Sequence, residues 1–130
     1  MKRSFKLLLL SICVIIIGTS FVGCNKNYSE EISFFNYGEN IDEETIKEFE
    51  KQYGIKVNVE TFDDMETMYQ KVSNSGVKYD VILVSDALMP RMIKNNLVQE
   101  LNKDNIPNIV NMNEGDMGKP YDLNNDYTVP

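Results

Sequence analysis

The chain has no histidine, and its only two cysteines, Cys13 and Cys24, lie near its start. Without histidine it lacks the commonest general base and the commonest transition-metal ligand. With Cys24 blocked by acylation, as its setting suggests, the mature chain would hold no free thiol and no disulfide. Thiol catalysis and zinc-thiolate sites are then excluded. There is no Gly-rich phosphate loop, and no nucleophile stands beside a base. The expectation is a protein that is not an enzyme and needs neither cofactor nor metal. Positive charge is also scarce, with 13 Lys and Arg against 20 Asp and Glu. Setting aside the three basic residues of the N-terminal segment leaves a mature net charge of −10. Such a surface repels nucleic acid and anionic lipid, and attracts cations.

What is present begins with a secretory signal. Lys2, Arg3 and Lys6 precede an apolar run from Leu7 to Ile17, which closes on Phe21, Val22, Gly23 and Cys24. That run is shorter than the ~20 residues a spanning helix needs. Small residues directly before a cysteine resemble a lipoprotein signal, in which the thiol is diacylated before the peptidase cuts. Residues 1–23 are therefore expected to be a signal peptide, with Cys24 the lipidated first residue of the mature chain. The location implied is the outer face of the cell membrane or the periplasmic space. Residues 24–31 are polar and fit a tether between lipid and domain. About 107 residues remain, enough for one small domain.

From Ile32 onward, strand and helix signals alternate. Ile32 to Phe35 reads as a short strand. Asn40 to Tyr53 reads as a helix, with Asp42 at its N-cap, Ile46, Phe49 and Tyr53 on one face, and Gly54 as its stop. Ile55 to Thr61 alternates with period two, the mark of a half-buried strand. A second helix opens at Asp63 or Asp64 and carries Met65, Met68, Tyr69 and Val72. Val81 to Val84 is a continuous apolar run, as in a strand buried on both faces. A third helix begins near Pro90 and turns Met92, Ile93 and Leu97 inward. The order βαβαβα predicts an α/β fold with a parallel sheet between helical layers. Residues 102–126 are rich in Asn, Asp, Gly and Pro and are expected to wander over the surface. Tyr127 to Pro130 reads like the opening of a further strand, so the sheet is expected to be incomplete and the chain a fragment or a gene product cut short.

In open parallel sheets, ligands sit beyond the carboxyl ends of the strands, where strand order reverses. With strand order 2-1-3, the loops after the first and third strands face each other. They hold Asn36, Tyr37, Gly38 and Glu39 on one side, and Ser85, Asp86 and Ala87 on the other. An aromatic face with carboxylates suits an organic ammonium. The alternatives are that Tyr37 is packing and that Asp86 caps the third helix.

The segments Phe35-Asn36-Tyr37-Gly38-Glu39-Asn40-Ile41, Phe49 to Val57, Glu60-Thr61-Phe62, Tyr79 to Ile82, Arg91 to Ile93, Val98 to Asn102 and Ile106 to Asn108 carry a resemblance. Together, residues 32–130 resemble the first third of bacterial spermidine/putrescine-binding proteins. Those are the extracellular substrate-binding subunits of polyamine ATP-binding-cassette importers. The resemblance implies an incomplete type II periplasmic-binding-protein lobe, from a protein that closes two lobes on its solute. It implies a polyamine or similar small cation as ligand and a membrane permease as partner. It also implies roles for Tyr37 against the methylenes, Glu39 as a carboxylate and Ser85 as a small polar contact. Ala87 departs from the family, which often has a tyrosine there. Other small molecules remain an alternative, since the scaffold is shared.

One reading of a different class competes. Val81 to Pro90 resembles the phospho-acceptor segment of a two-component receiver domain. A receiver needs an acidic pair after its first strand to hold Mg²⁺, and Asn36 and Tyr37 stand there instead.

Overall fold

The computed structural model describes residues 28–38 and 40–130. The proposed signal peptide, Cys24 and Glu39 lie outside the described residues.

Three parallel strands, β1 (Glu30–Tyr37), β2 (Ile55–Phe62) and β3 (Val81–Ile82), form one sheet in the order β2-β1-β3. The expected α/β class and the 2-1-3 order are both present. The central strand pairs with β2 over its whole length, from Glu30 opposite Ile55 to Tyr37 opposite Phe62. Its other edge meets β3 only at Phe34–Val81 and Phe35–Ile82. Backbone bonds from Asp80 N to Ser33 O and from Leu83 N to Phe35 O, both 2.9 Å, flank that short pairing.

Three helices complete the alternation: α1 (Glu43–Tyr53), α2 (Met65–Asn74) and α3 (Met89–Lys94). Each boundary has a local cause. Asp42 accepts from the Glu44 amide at 3.1 Å, and Gly54 leaves α1 in the left-handed region at φ 68°. Asp64 accepts from the Thr67 amide at 2.7 Å and so starts α2. The N-cap of α3 is Leu88, without a side-chain bond. Its end is a Schellman turn: Asn96 takes φ 53°, Asn96 N donates to Ile93 O, and Leu97 N donates to Met92 O.

Parallel register puts paired residues on the same face. Phe35, Phe62 and Ile82 face α2 and α3, where Met68, Tyr69, Met89 and Met92 close the main core. Phe35 stacks on Tyr79 at 4.4 Å and meets Phe62 edge-on at 4.7 Å. Met68 and Met92 are fully enclosed. Each side chain buried this deeply contributes about 1.5–3 kcal/mol. The opposite face carries Phe34, Val57, Val59 and Val81, and α1 packs there over β2.

Several expectations are corrected. The first strand starts at Glu30, inside the segment that composition assigned to the tether. Order reaches still earlier, because Ser29 N donates to Gly54 O at 2.8 Å and Tyr28 donates to Glu50 at 2.7 Å. Val81 is 48% exposed and not buried on both faces, since α1 shields the β2 side of that face. Tyr53 is exposed; its ring rests on Phe49 at 4.7 Å. The inward residue of α1 is Glu50, 5% exposed, a polar residue that hydrophobic periodicity does not flag. Leu97 falls beyond α3 and returns to the core through the Schellman turn.

Residues 102–126 form two 3-10 turns, Lys103–Asn105 and Pro107–Asn111, followed by tight turns, as their composition suggested. Tyr127 to Pro130 pairs with no strand among the described residues. Asp122 draws that segment back, accepting from the amides of Asp126, Tyr127 and Thr128 and from the Thr128 hydroxyl.

Candidate functional site

The carboxyl end of β1 is shaped by Asn36, Tyr37 and Gly38. Asn36 is 1% exposed; its amide donates to Gly38 O at 3.2 Å, and its carbonyl oxygen has no partner among the described residues. Gly38 turns the chain at φ 52° and donates its N–H to Phe62 O at 2.8 Å, joining the ends of β1 and β2. Open space surrounds the position a Cβ would take, so the left-handed backbone is what favours glycine there. Tyr37 is 38% exposed and leans edge-on against Phe62 at 5.6 Å. It therefore offers part of its ring to solvent at the strand end.

Beyond β3 the chain turns at Ser85. Its carbonyl accepts from Leu88 N at 3.0 Å and Met89 N at 3.1 Å, which starts α3. Because β1 and β3 run parallel, the Tyr37–Gly38 turn and the Ser85 turn both follow their strands at the same end of the sheet. The strand order on which the expected crevice depends is the one observed. No hydrogen bond joins Tyr37 to Ser85 or Asp86 among the described residues.

Asp86 behaves differently from its helix-capping alternative. The first turn of α3 has no side-chain cap, and the Asp86 carboxylate accepts instead from the Tyr121 hydroxyl at 2.6 Å. Burial, followed by the Asp86 carboxylate, pushes the Tyr121 phenol up to about 12. Tyr121 sits 35 residues away and escaped the sequence reading, which assigned its segment to irregular surface. A lone aromatic between Pro120 and Asp122 in an otherwise polar stretch was the one available signal. Asp63 and Asp64 follow the edge strand; Asp64 is spent on capping α2, which lowers its pKa.

At the opposite end of the sheet lies a second polar cluster. Glu50 accepts from Lys56 Nζ at 2.7 Å, from Tyr28 at 2.7 Å and from Val57 N at 3.1 Å. These bonds, the lysine's first, hold its carboxyl at about 2. Both its oxygens are engaged by protein donors, so it ties the start of the domain to α1 and β2. Among the described residues no group of acidic side chains could hold a metal ion.

Comparison with known proteins agrees with this geometry. Residues 36–130 match the family described as bacterial extracellular solute-binding protein. The chain is 31% identical over 123 residues to the spermidine/putrescine-binding periplasmic protein of Salmonella typhimurium, covering 94% of this chain and 35% of that one. It is 34% identical over 101 residues to a putrescine/agmatine-binding protein of Pseudomonas aeruginosa, covering 76% of this chain and 28% of the relative. Among solved structures it is similar to the spermidine/putrescine ABC transporter substrate-binding protein of Streptococcus pneumoniae. That match has a TM-score of 0.75 and 30% identity, over 78% of this chain and 32% of the other. A lipoprotein of Treponema pallidum superposes with a TM-score of 0.72 at 26% identity, over 77% of this chain and 32% of that one. The chain thus spans about a third of the length of these relatives. With the 2-1-3 sheet, the crevice loops and the match over residues 36–130, the chain belongs to the bacterial extracellular solute-binding protein family.

Proposed function

We propose that this chain is the first part of a substrate-binding lipoprotein that captures a polyamine, spermidine or putrescine, for import by an ATP-binding-cassette permease. The observation that carries the reading is an exposed aromatic edge, Tyr37, at the end of β1, in a sheet ordered 2-1-3 whose parallel strand β3 runs into the Ser85–Asp86 turn at the same end. Relatives named for spermidine, putrescine and agmatine support the ligand class. A polyamine is an extended cation whose ammonium groups need carboxylates and whose methylenes need aromatic faces. In this reading Tyr37 stacks on the methylene chain, Ser85 adds a hydrogen bond, and Asp86 and Glu39 meet ammonium groups. Glu39 is assigned from its sequence position alone.

Calorimetry on the intact protein tests the ligand. Glu39→Gln should weaken spermidine or putrescine binding about tenfold, a loss of ~1.4 kcal/mol. Added salt should weaken the parent more steeply than the variant. Absence of binding by either polyamine at millimolar concentration would overturn the polyamine reading and leave another small solute as the ligand.

The anchor belongs to the same proposal. The lipoprotein relative of Treponema pallidum supports it, as does the Val22-Gly23-Cys24 sequence. Two acyl chains on Cys24 anchor a protein stably where one binds marginally. Radiolabelled fatty acid should enter the parent and not a Cys24→Ala variant. Equal labelling of both would remove Cys24 from that role.

A further inference from the structure

Asp86 is an exposed carboxylate at the ligand end of the sheet, yet one of its oxygens is already held from a distant part of the chain. The donor, Tyr121, is firmly placed. Its ring packs against the main core, which takes in Leu88, Met89 and Met92. The next residue, Asp122, is 5% exposed and collects three amides and a hydroxyl from residues 126–128. Asn125, also buried, accepts from Gly118 N at 2.9 Å and closes the same turn. The Tyr121 hydroxyl is therefore delivered by a braced turn. Asp86 rests on no comparable frame, and only its Oδ1 has a protein donor among the described residues.

A short bond to one carboxylate oxygen restrains the group and leaves the other oxygen to a ligand. We propose that Tyr121 is a positioning residue for solute binding, holding Asp86 so that its Oδ2 meets an ammonium or guanidinium group in the crevice. This rests on the reading of the β1–β3 crevice as the solute site. Fixing the acceptor before the solute arrives removes an ordering cost from binding. Burial keeps the phenol protonated, and hence a donor, throughout the physiological range.

A double-mutant cycle on the intact protein tests the assignment. Calorimetry with spermidine and with putrescine compares the parent, Tyr121→Phe, Asp86→Asn and the double variant. Phenylalanine keeps the packed ring and removes only the hydroxyl; asparagine changes an exposed side chain. Far-UV circular dichroism checks that all four fold. Tyr121→Phe should weaken binding about three- to tenfold in the parent background and less than about twofold when Asp86 is already Asn. Parent affinity in Tyr121→Phe, or the same loss in both backgrounds, would overturn the proposal. A parent that binds some other ammonium or guanidinium compound, and neither polyamine, sinks the polyamine reading alone. The same cycle run with that compound then decides the role of Tyr121. If the parent binds no cationic solute at all, both proposals fall.

Discussion

Asp122 is the residue whose removal should cost the later half of the chain most. Its carboxylate is 5% exposed and carries four donors on two oxygens. Oδ1 takes the Asp126 amide at 2.7 Å, while Oδ2 takes the amides of Tyr127 and Thr128 and the Thr128 hydroxyl, at 3.0, 2.9 and 2.8 Å. In Asp122→Ala the hydroxyl can turn to solvent, but three amides lose their acceptor. An orphaned buried donor costs about 1–3 kcal/mol. Residues 126–128 are only partly buried, so the low end applies, giving roughly 3 kcal/mol for the three amides. Asp122→Asn keeps one oxygen and points an NH₂ at the remaining donors, which should place it near half that loss, about 1.5 kcal/mol. For a domain of this size the alanine variant should melt on the order of 12 °C or more below the parent. Urea titration gives the free energies, and amide hydrogen exchange at residues 126–128 gives the location. An alanine variant within about 1 kcal/mol of the parent, with exchange at those amides unchanged, would refute the reasoning.

Two further outcomes are expected. Glu50 has a folded-state pKa of about 2, below the ordinary 4.5, so the stability it contributes is complete above about pH 4.5 and disappears as pH falls toward 2. Glu60, Asp64 and Asp126 are shifted the same way, so the acid limb should be shared. Melting temperature against pH should fall less steeply between those limits in Glu50→Gln than in the parent; parallel curves would count against the cluster. Met68 is fully enclosed among Phe35, Tyr69 and Met92, so Met68→Ala should cost about 2–5 kcal/mol in urea denaturation. A loss below 1 kcal/mol would mean that α2 does not pack as described.

Sequence patterning recovered those features whose causes are local. Asp42, Gly54 and Asp64 act within a turn of themselves, and each marks its boundary as expected. The period-two run of β2 and the alternation of strands with helices lead to a parallel sheet, while the order 2-1-3, one of the arrangements those crossovers allow, is what the structure shows. What escaped depends on contacts between distant residues. Glu50 is inside because Lys56 and Tyr28 come to it, and Tyr121 is ordered because Asp122 gathers residues 126–128. The apolar run at Val81 was over-read for a related reason. Its β-branched residues fit a strand buried on both faces, but burial depends on which helix lies above it. At the candidate site, topology puts Tyr37 and Ser85 at the same end of the sheet, while the partner of Asp86 lies 35 residues away, beyond the reach of local pattern.

Four tyrosine hydroxyls each donate to a carboxylate far along the chain: Tyr28 to Glu50, Tyr79 to Glu60, Tyr121 to Asp86 and Tyr127 to Glu100. They close loops of 22, 19, 35 and 27 residues, spans that small secreted domains often close with disulfides. The described residues hold no cysteine, so nothing among them can be cross-linked. Unlike disulfides, ties of this kind need no oxidant or disulfide isomerase to form. None of the four ties contains a thiol, and at Glu50 and Glu60, whose carboxyls are held below their ordinary pKa by their donors, the tie is lost as acid protonates the acceptor.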